Sequence, residues 1–187
     1  MTSPAIPNYI VGQWTLDTAH TEIGFSARHM MVSKVRGKFE KFTGSVTTAE
    51  NPLDSTAEAE IDLSSITTGN DQRDNHLRSN DFFDAETNPK MTFRSTAIRP
   101  DGSDFEVDGE LTIRGVTKPL TLKVELGGFS PDPWGGTRAG FTATGVINRH
   151  DFGVSWNAAI EGGGVVIGDK ITIHIEAEVI LDQPAAS

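Results

Sequence analysis

Over most of this chain apolar and polar residues alternate one for one. That period of two admits little besides β-strands with one dry face. The clearest example runs from Phe105 to Leu126, where Phe105, Val107, Leu111 and Ile113 alternate with polar residues and Leu120, Leu122, Val124 and Leu126 repeat the pattern. Between the two runs, Arg114-Gly-Val-Thr-Lys-Pro119 carries a glycine suited to a tight reversal and a proline that cannot donate to a central ladder. The stretch predicts an antiparallel hairpin whose dry face covers either a packed core or a ligand.

The same pattern recurs along the chain. Gln13–Asp17 reads as a short strand. In Thr21–Met30, Ile23, Phe25, Ala27 and His29 share one face, while Glu22, Ser26 and Arg28 share the other. Val35–Thr48 reads as a strand interrupted by a bulge or bend at Gly37 and Gly44. Thr56–Leu63, Met91–Ile98, Arg138–Arg149 and Lys170–Leu181 complete the set. One segment differs: Thr68-Gly-Asn-Asp71 fits a Ser/Thr-x-x-Asp/Glu helix start, and Asp71–Ser79 is polar with helical spacing. Such a short helix needs anchors, and Phe82 and Phe83 follow it. Many strands with one helical interruption near residues 70–80 predict an all-β fold, an extended antiparallel β-barrel of about eight strands. A barrel is preferred over a sandwich because closure leaves no long edges exposed. The single domain is expected over residues 12–182, after a disordered lead at 1–11 with Pro4 and Pro7 and before a tail at 183–187.

The apolar rows are not uniformly bulky. Ala57 and Ala59 lie on one inward row, and Ala139, Ala143 and Gly145 lie on another beside Phe141 and Ile147. A barrel of about eight strands is just wide enough to be filled by side chains or to hold one small ligand. Small inward residues fit a cavity, and they equally fit strands that bend at barrel corners; the residues alone leave both open.

Composition narrows the function classes. The 187 residues include no cysteine, which excludes disulfide scaffolds, thiolate zinc sites and cysteine nucleophiles. A net charge of −10 argues against nucleic-acid binding and against broad attachment to anionic lipid surfaces. The N-terminus lacks the basic flank and apolar run of a signal peptide, and no stretch is long enough to span a bilayer, so a cytoplasmic location is expected.

The histidines, His20, His29, His76, His150 and His174, form no His-Glu-x-x-His motif or close ligand pair, and no metal or cofactor site is expected. Asp17 with His20, or His150 with Asp151, offers an acid/base pair for an enzyme acting on a small apolar substrate. A turn-forming Asp and a backbone-bonded His are the plainer account of each. No Gly-x-Ser-x-Gly elbow is present. His29 shares a face with Ile23, Phe25 and Ala27, so it needs a partner, either another side chain or the polar head of a ligand.

Several stretches taken together resemble the YceI-like family of polyisoprenoid-binding proteins. They are Trp14-Thr-Leu-Asp-Thr-Ala-His20, Phe25-Ser-Ala-Arg-His29, Val35-Arg-Gly-Lys-Phe39, His76-Leu-Arg-Ser-Asn-Asp-Phe-Phe83, Pro89-Lys-Met-Thr-Phe93, Gly109-Glu-Leu-Thr-Ile-Arg-Gly-Val116 and Asn148-Arg-His-Asp-Phe-Gly153. The resemblance implies a lipocalin-like barrel enclosing a long isoprenoid lipid, a polyprenyl phosphate or pyrophosphate or an isoprenoid quinone. It implies storage, sequestration or transport rather than catalysis, often as a homodimer. Many family members are periplasmic, from which this chain's N-terminus departs. On this basis the tail-lining residues are expected to be Ile23, Phe25, Ile61, Phe93, Leu111, Ile113, Phe141, Ile147 and Ile173, with Phe82 and Phe83 near an entrance. His29 and Arg149 are the expected head-group contacts. A ligand-free barrel with a packed axis is the remaining alternative.

Overall fold

A computed structural model describes residues 3–158 and 166–183. The alternating segments become strands, because only an extended, pleated chain turns each apolar row inward and each polar row to water. In chain order they are β1 (Gly12–Leu16), β2 (Glu22–His29), β3 (Ser33–Phe39), β4 (Phe42–Thr48), β5 (Thr56–Asp62) and β6 (Ile66–Thr67). After the helix α1 (Asp71–Arg78) come β7 (Lys90–Asp101), β8 (Asp104–Ile113), β9 (Val116–Pro131), β10 (Thr137–Asn148) and β11 (Ile167–Leu181). Each strand pairs antiparallel with its neighbours. The order β1-β4-β5-β7-β8-β9-β10-β11 returns to β1 through Trp14↔Leu181 and Leu16↔Val179, closing a barrel of eight strands. The first half of β11 pairs instead with β2, at Ile173↔Phe25 and Ile175↔Ile23, and β2 carries β3 and the short β6. β1 and β2 are therefore successive lengths of one wall, broken at a 3-10 turn over Thr18–His20 where Asp17 accepts from the Ala19 N–H.

The hairpin from Phe105 to Leu126 is β8 and β9, but the reversal is tighter than its residues imply. Ile113 pairs with Val116, and Arg114 and Gly115 form the turn with φ of 53° and 73°. Pro119 is inside β9, in a stretch paired with β8 and not with β10, where a missing N–H is tolerated. The expected bulges at Gly37 and Gly44 are absent. The strand is broken instead at Glu40 and Lys41, where the chain passes from β3 to β4 without reversing, and both glycines sit in regular register. Gly37 is instead a close approach: a Cβ there would lie 2.4 Å from Cζ of Phe25, whose ring lies against the strand.

The helix begins at Asp71 as expected, but its cap is two residues beyond Thr68. Asn70 is the N-cap and accepts from the Arg73 N–H at 3.0 Å, while buried Asp74 reaches back to the Thr68 N–H at 2.9 Å. Arg78 near its other end donates to the carbonyls of Ser64 and Ile66. Polar ties at both ends, with Leu77 packed inward, hold a helix too polar and short to stand alone. Phe82 is buried in the core beside it, and Phe83 packs against both neighbouring core clusters.

The lead expected to be disordered is, from residue 3 onward, seated on the barrel. Ile6, Tyr9 and Ile10 pack against Trp14, Phe129, Ala139 and Val179, and the Tyr9 hydroxyl donates to the Ala49 carbonyl at 2.6 Å. The prolines rule out a strand or helix there, but not apolar burial, which is what anchors the segment.

Candidate binding cavity

Inward residues of a filled barrel should all be buried. Here Ile171, Ile173 and Ile175 on β11 remain half-buried although they face the axis, as do Phe25, Phe93, Phe141 and Ile147 on other strands. They face open space. The half of the barrel near α1 holds a cavity of about 600 Å³, and the opposite half one of about 200 Å³. The larger is in the ~300–1,000 Å³ range of small-molecule sites. Ile23, Ala59, Phe93, Leu122 and Ile175 line both, so the two lie end to end. The β11 row from Ile171 to Val179 follows them for roughly 27 Å of strand at about 3.3 Å per residue.

The small inward residues divide between the two roles left open by the sequence. Ala57, Ala59 and Ala143 line the space, whereas Ala139 packs with Trp14, and a Cβ on Gly145 would meet Leu122 at 2.8 Å. Part of the row makes room for a ligand and part lets strands and leucines close up.

Ile23, Phe25, Ile61, Phe82, Phe83, Phe93, Leu111, Ile113, Ile147 and Ile173 all wall the larger cavity, and Phe141 walls the smaller. Period two places those of them that lie on strands, because it depends only on the pleat, whereas Phe82 and Phe83 follow the helix. Sequence reasoning did not reach Leu77, Val154, Trp156 or Ile167. Leu77 belongs to a polar helix and the others to irregular or bulged backbone, so no alternation flags them.

The two ends differ in chemistry. At the small-cavity end the wall is apolar and Ile6 and Tyr9 stand across it. At the other end Arg28, His29, Asn70, Gln72, Arg73 and His76 join the lining. His29 is half-buried at the last position of β2, and no hydrogen bond to its ring occurs among the described residues. His76 is held by Asp81 at 2.8 Å and meets Trp156 and Phe82 edge-on at 4.6 and 5.0 Å. Arg149 also reaches the wall, but its guanidinium is committed to backbone. It donates to the carbonyls of Gly168 at 3.0 Å, Val154 at 2.9 Å, Trp156 at 2.8 Å and Ile167 at 3.4 Å. Burial pulls its pKa down, opposed by Asp169. This geometry makes Arg149 an anchor for the segment carrying Trp156, with few donors left for a head group.

Neither expected acid/base pair faces the cavity. His150 bonds Asp169 at 2.7 Å rather than its sequence neighbour Asp151, because the 3-10 turn over Arg149–Phe152 directs the ring toward β11. Asp17 does bond His20, at 2.7 Å, but on the outside of the barrel. Arg138 donates to Asp17 at 2.6 Å, to Glu178 at 2.9 Å and to Asp132 at 3.0 Å. That guanidinium first, then the His20 bond, holds the Asp17 carboxyl down at about pH 2, far from the range of a general base at neutral pH. Asp17, His20 and Glu178 bring ligand-type atoms within 4.8 Å of one another, and both carboxylates are already paired with Arg138.

A closed antiparallel barrel around an elongated apolar cavity is the architecture of the lipocalin-like class. The sequence model of the YceI-like domain matches residues 14–179, and the chain belongs to that family. It is 42% identical over 172 residues to a UPF0312 protein of Staphylococcus epidermidis, covering 91% of this chain and 98% of that one. Among solved structures it is similar to the YCEI protein of Campylobacter jejuni, at 32% identity and a TM-score of 0.72 over 90% of this chain and 98% of that one. Burkholderia cenocepacia BcnA matches at 25% identity and a TM-score of 0.75, over 87% and 98%. A polyisoprenoid binding domain from Saccharophagus degradans shares the fold at 16% identity and a TM-score of 0.67, over 92% and 100%. No helix among the described residues is long and apolar enough to cross a membrane.

Proposed function

We propose that the protein binds a long-chain isoprenoid lipid inside the barrel and stores, sequesters or transports it. The observation that carries this is the pair of apolar cavities joined end to end, with arginine, histidine and amide side chains facing the space at one end and almost no polar surface facing it at the other. A long hydrocarbon tail needs the first feature, and a single polar head group needs the second. The fold shared with a polyisoprenoid binding domain adds support.

Each buried CH₂ contributes about 0.8 kcal/mol, so the tail supplies strength with little selectivity beyond length. Ordering the tail offsets part of that sum, and affinities level off near 18–21 kcal/mol. Selectivity then rests on the polar rim, where His29, and the donors of Arg73 not already bonded to Thr68, would meet a phosphate, pyrophosphate or quinone oxygen. The tail contacts are the residues already named on the cavity wall, from Phe25 and Ile173 near the rim to Phe141 beyond Ala59. Binding rather than turnover fits the position of the His20 and His150 pairs outside the cavity.

Organic extraction of the purified protein followed by mass spectrometry tests the proposal, with titration of the extracted protein by an isoprenoid quinone and a polyprenyl phosphate. Co-purification or saturable uptake of one prenyl lipid is expected. Repeated absence of both would overturn it.

A further inference from the structure

The β2–β3 hairpin ends beside the polar rim, and its turn is built from unusual residues. Val32 N–H closes on the His29 carbonyl at 3.2 Å, and the two central residues, Met30 and Met31, have φ of 51° and 62°. Such a turn favours Asn and Gly, and a bulky side chain at positive φ is an outlier. What this turn gains is a projecting apolar tip: Met30, Met31 and Val32 are 42%, 53% and 84% exposed. Beside it stand Arg28, which also reaches the cavity rim, and the outward-facing Lys34, Arg36 and Lys38, all four exposed. None of the four is in an ion pair among the described residues. No Asp or Glu occurs between Arg28 and Lys38, in a chain with 26 acidic residues. Glu22 and Glu176 lie opposite each other at the far end of β2 from the turn, and Asp169, near the tip, is bonded to His150.

We infer that this hairpin docks the protein on an anionic phospholipid surface, with the apolar tip entering the head-group layer and the basic face meeting lipid phosphates. The chain's net charge of −10 opposes broad attachment. A local patch overrides it because charges more than about 8 Å away are screened at physiological salt. Each basic side chain near such a surface strengthens binding about fivefold. Apolar side chains beside basic ones are the pattern of interfacial binding. Docked this way, the protein turns the end of the cavity holding His29 and Arg28 toward the bilayer, where a lipid cargo enters without crossing water. Only this last consequence rests on the proposed cargo; docking itself needs no lipid in the cavity.

Flotation with cargo-free vesicles of phosphatidylcholine and phosphatidylglycerol in equal parts tests it, beside vesicles of phosphatidylcholine alone. The wild-type chain is expected to float with the anionic vesicles and to be released by high salt. The K34E/R36E double variant should bind them at least about tenfold more weakly, and V32D several-fold more weakly. Uptake of an isoprenoid quinone delivered from ethanol should be unchanged in both, since none of these side chains lines the cavity. That uptake also serves as the check on folding. Equal binding to neutral vesicles, no binding to anionic ones, or undiminished binding by K34E/R36E would each overturn the inference. So would a lipid-free dimer that V32D splits, which would assign the tip to a second copy. Failure of quinone uptake with intact flotation would overturn the proposed cargo instead.

Discussion

The two ends of the barrel use the same alternating pattern to opposite effect. At one end Trp14 is 1% exposed and packs edge-on against Phe129 at 5.5 Å, and Tyr9 meets the same ring edge-on at 5.5 Å. Its indole N–H donates to the Thr48 hydroxyl at 2.9 Å, and that hydroxyl donates to the Ile10 carbonyl at 2.7 Å. Around Trp14 itself the volume is filled and the polar atoms are paired, and the cavity that begins beside Phe129 and Tyr9 is only about 200 Å³. At the other end the strands carry isoleucine and phenylalanine at equivalent inward positions, yet the residues opposite them are too small or too far away to fill the axis. What closes that end is a polar helix, the Arg149-anchored segment and a rim of charged side chains. A period of two therefore specifies an inward face but not what the face meets. The bulk of the facing residues and the chain that lies across the end decide whether it meets a core or a cavity.

That contrast predicts a gradient of mutational cost. Trp14→Ala, at the end where that ring is packed, should lose about 4 kcal/mol by urea denaturation, chiefly through the cavity left behind, with the indole bond to Thr48 lost as well. Arg149→Met should lose about 3 kcal/mol, because several buried carbonyls lose charged donors at once; increased quenching of tryptophan fluorescence by acrylamide would report the freed Trp156. At the hollow end, Ile173→Ala should cost only about 1 kcal/mol, below the ~2–5 of packed cores, since its side chain already borders empty space. A loss as large as that of Trp14 would break the comparison and mean that the axis is packed. Ala59→Phe sharpens it further. The ring has room where the two cavities meet, so stability should change by less than about 1 kcal/mol, while uptake of a fluorescent apolar probe should fall at least tenfold.

The smallest effect concerns pH. Asp17 has a folded pKa of about 2 against an ordinary 3.8, so the folded state binds its proton less readily than the unfolded chain. Its contribution is present above the ordinary carboxylate pKa and is lost as pH falls from about 4 to about 2. The wild-type melting temperature should drop more steeply over that window than that of Asp17→Asn, and equal slopes would remove Asp17 as a contributor.

Much of the barrel was legible because strand periodicity is local. Ile23, Phe25, Leu111 and Ile173 declare their common side through the residues next to them, wherever the strands end up. Positions governed by distant partners were not legible in this way. Gly37 looks like a bulge until the Phe25 ring occupies the place of its Cβ. Arg149 looks like a head-group contact until Val154, Trp156, Ile167 and Gly168 present their carbonyls to it. The His150–Asp169 pair joins residues on either side of a long connection, and the lead before Gly12 was anchored by a surface that exists only once the barrel has closed.

The sequence by itself determined an antiparallel β architecture, its inward faces, the helix after Asn70 and the family, since alternation and ordered motifs are written along the chain. Only the tertiary structure decided that the axis is hollow and that its polar groups gather at one end. Empty space and a charged rim are properties of facing surfaces, set by volumes and distances between strands that no single stretch of chain contains.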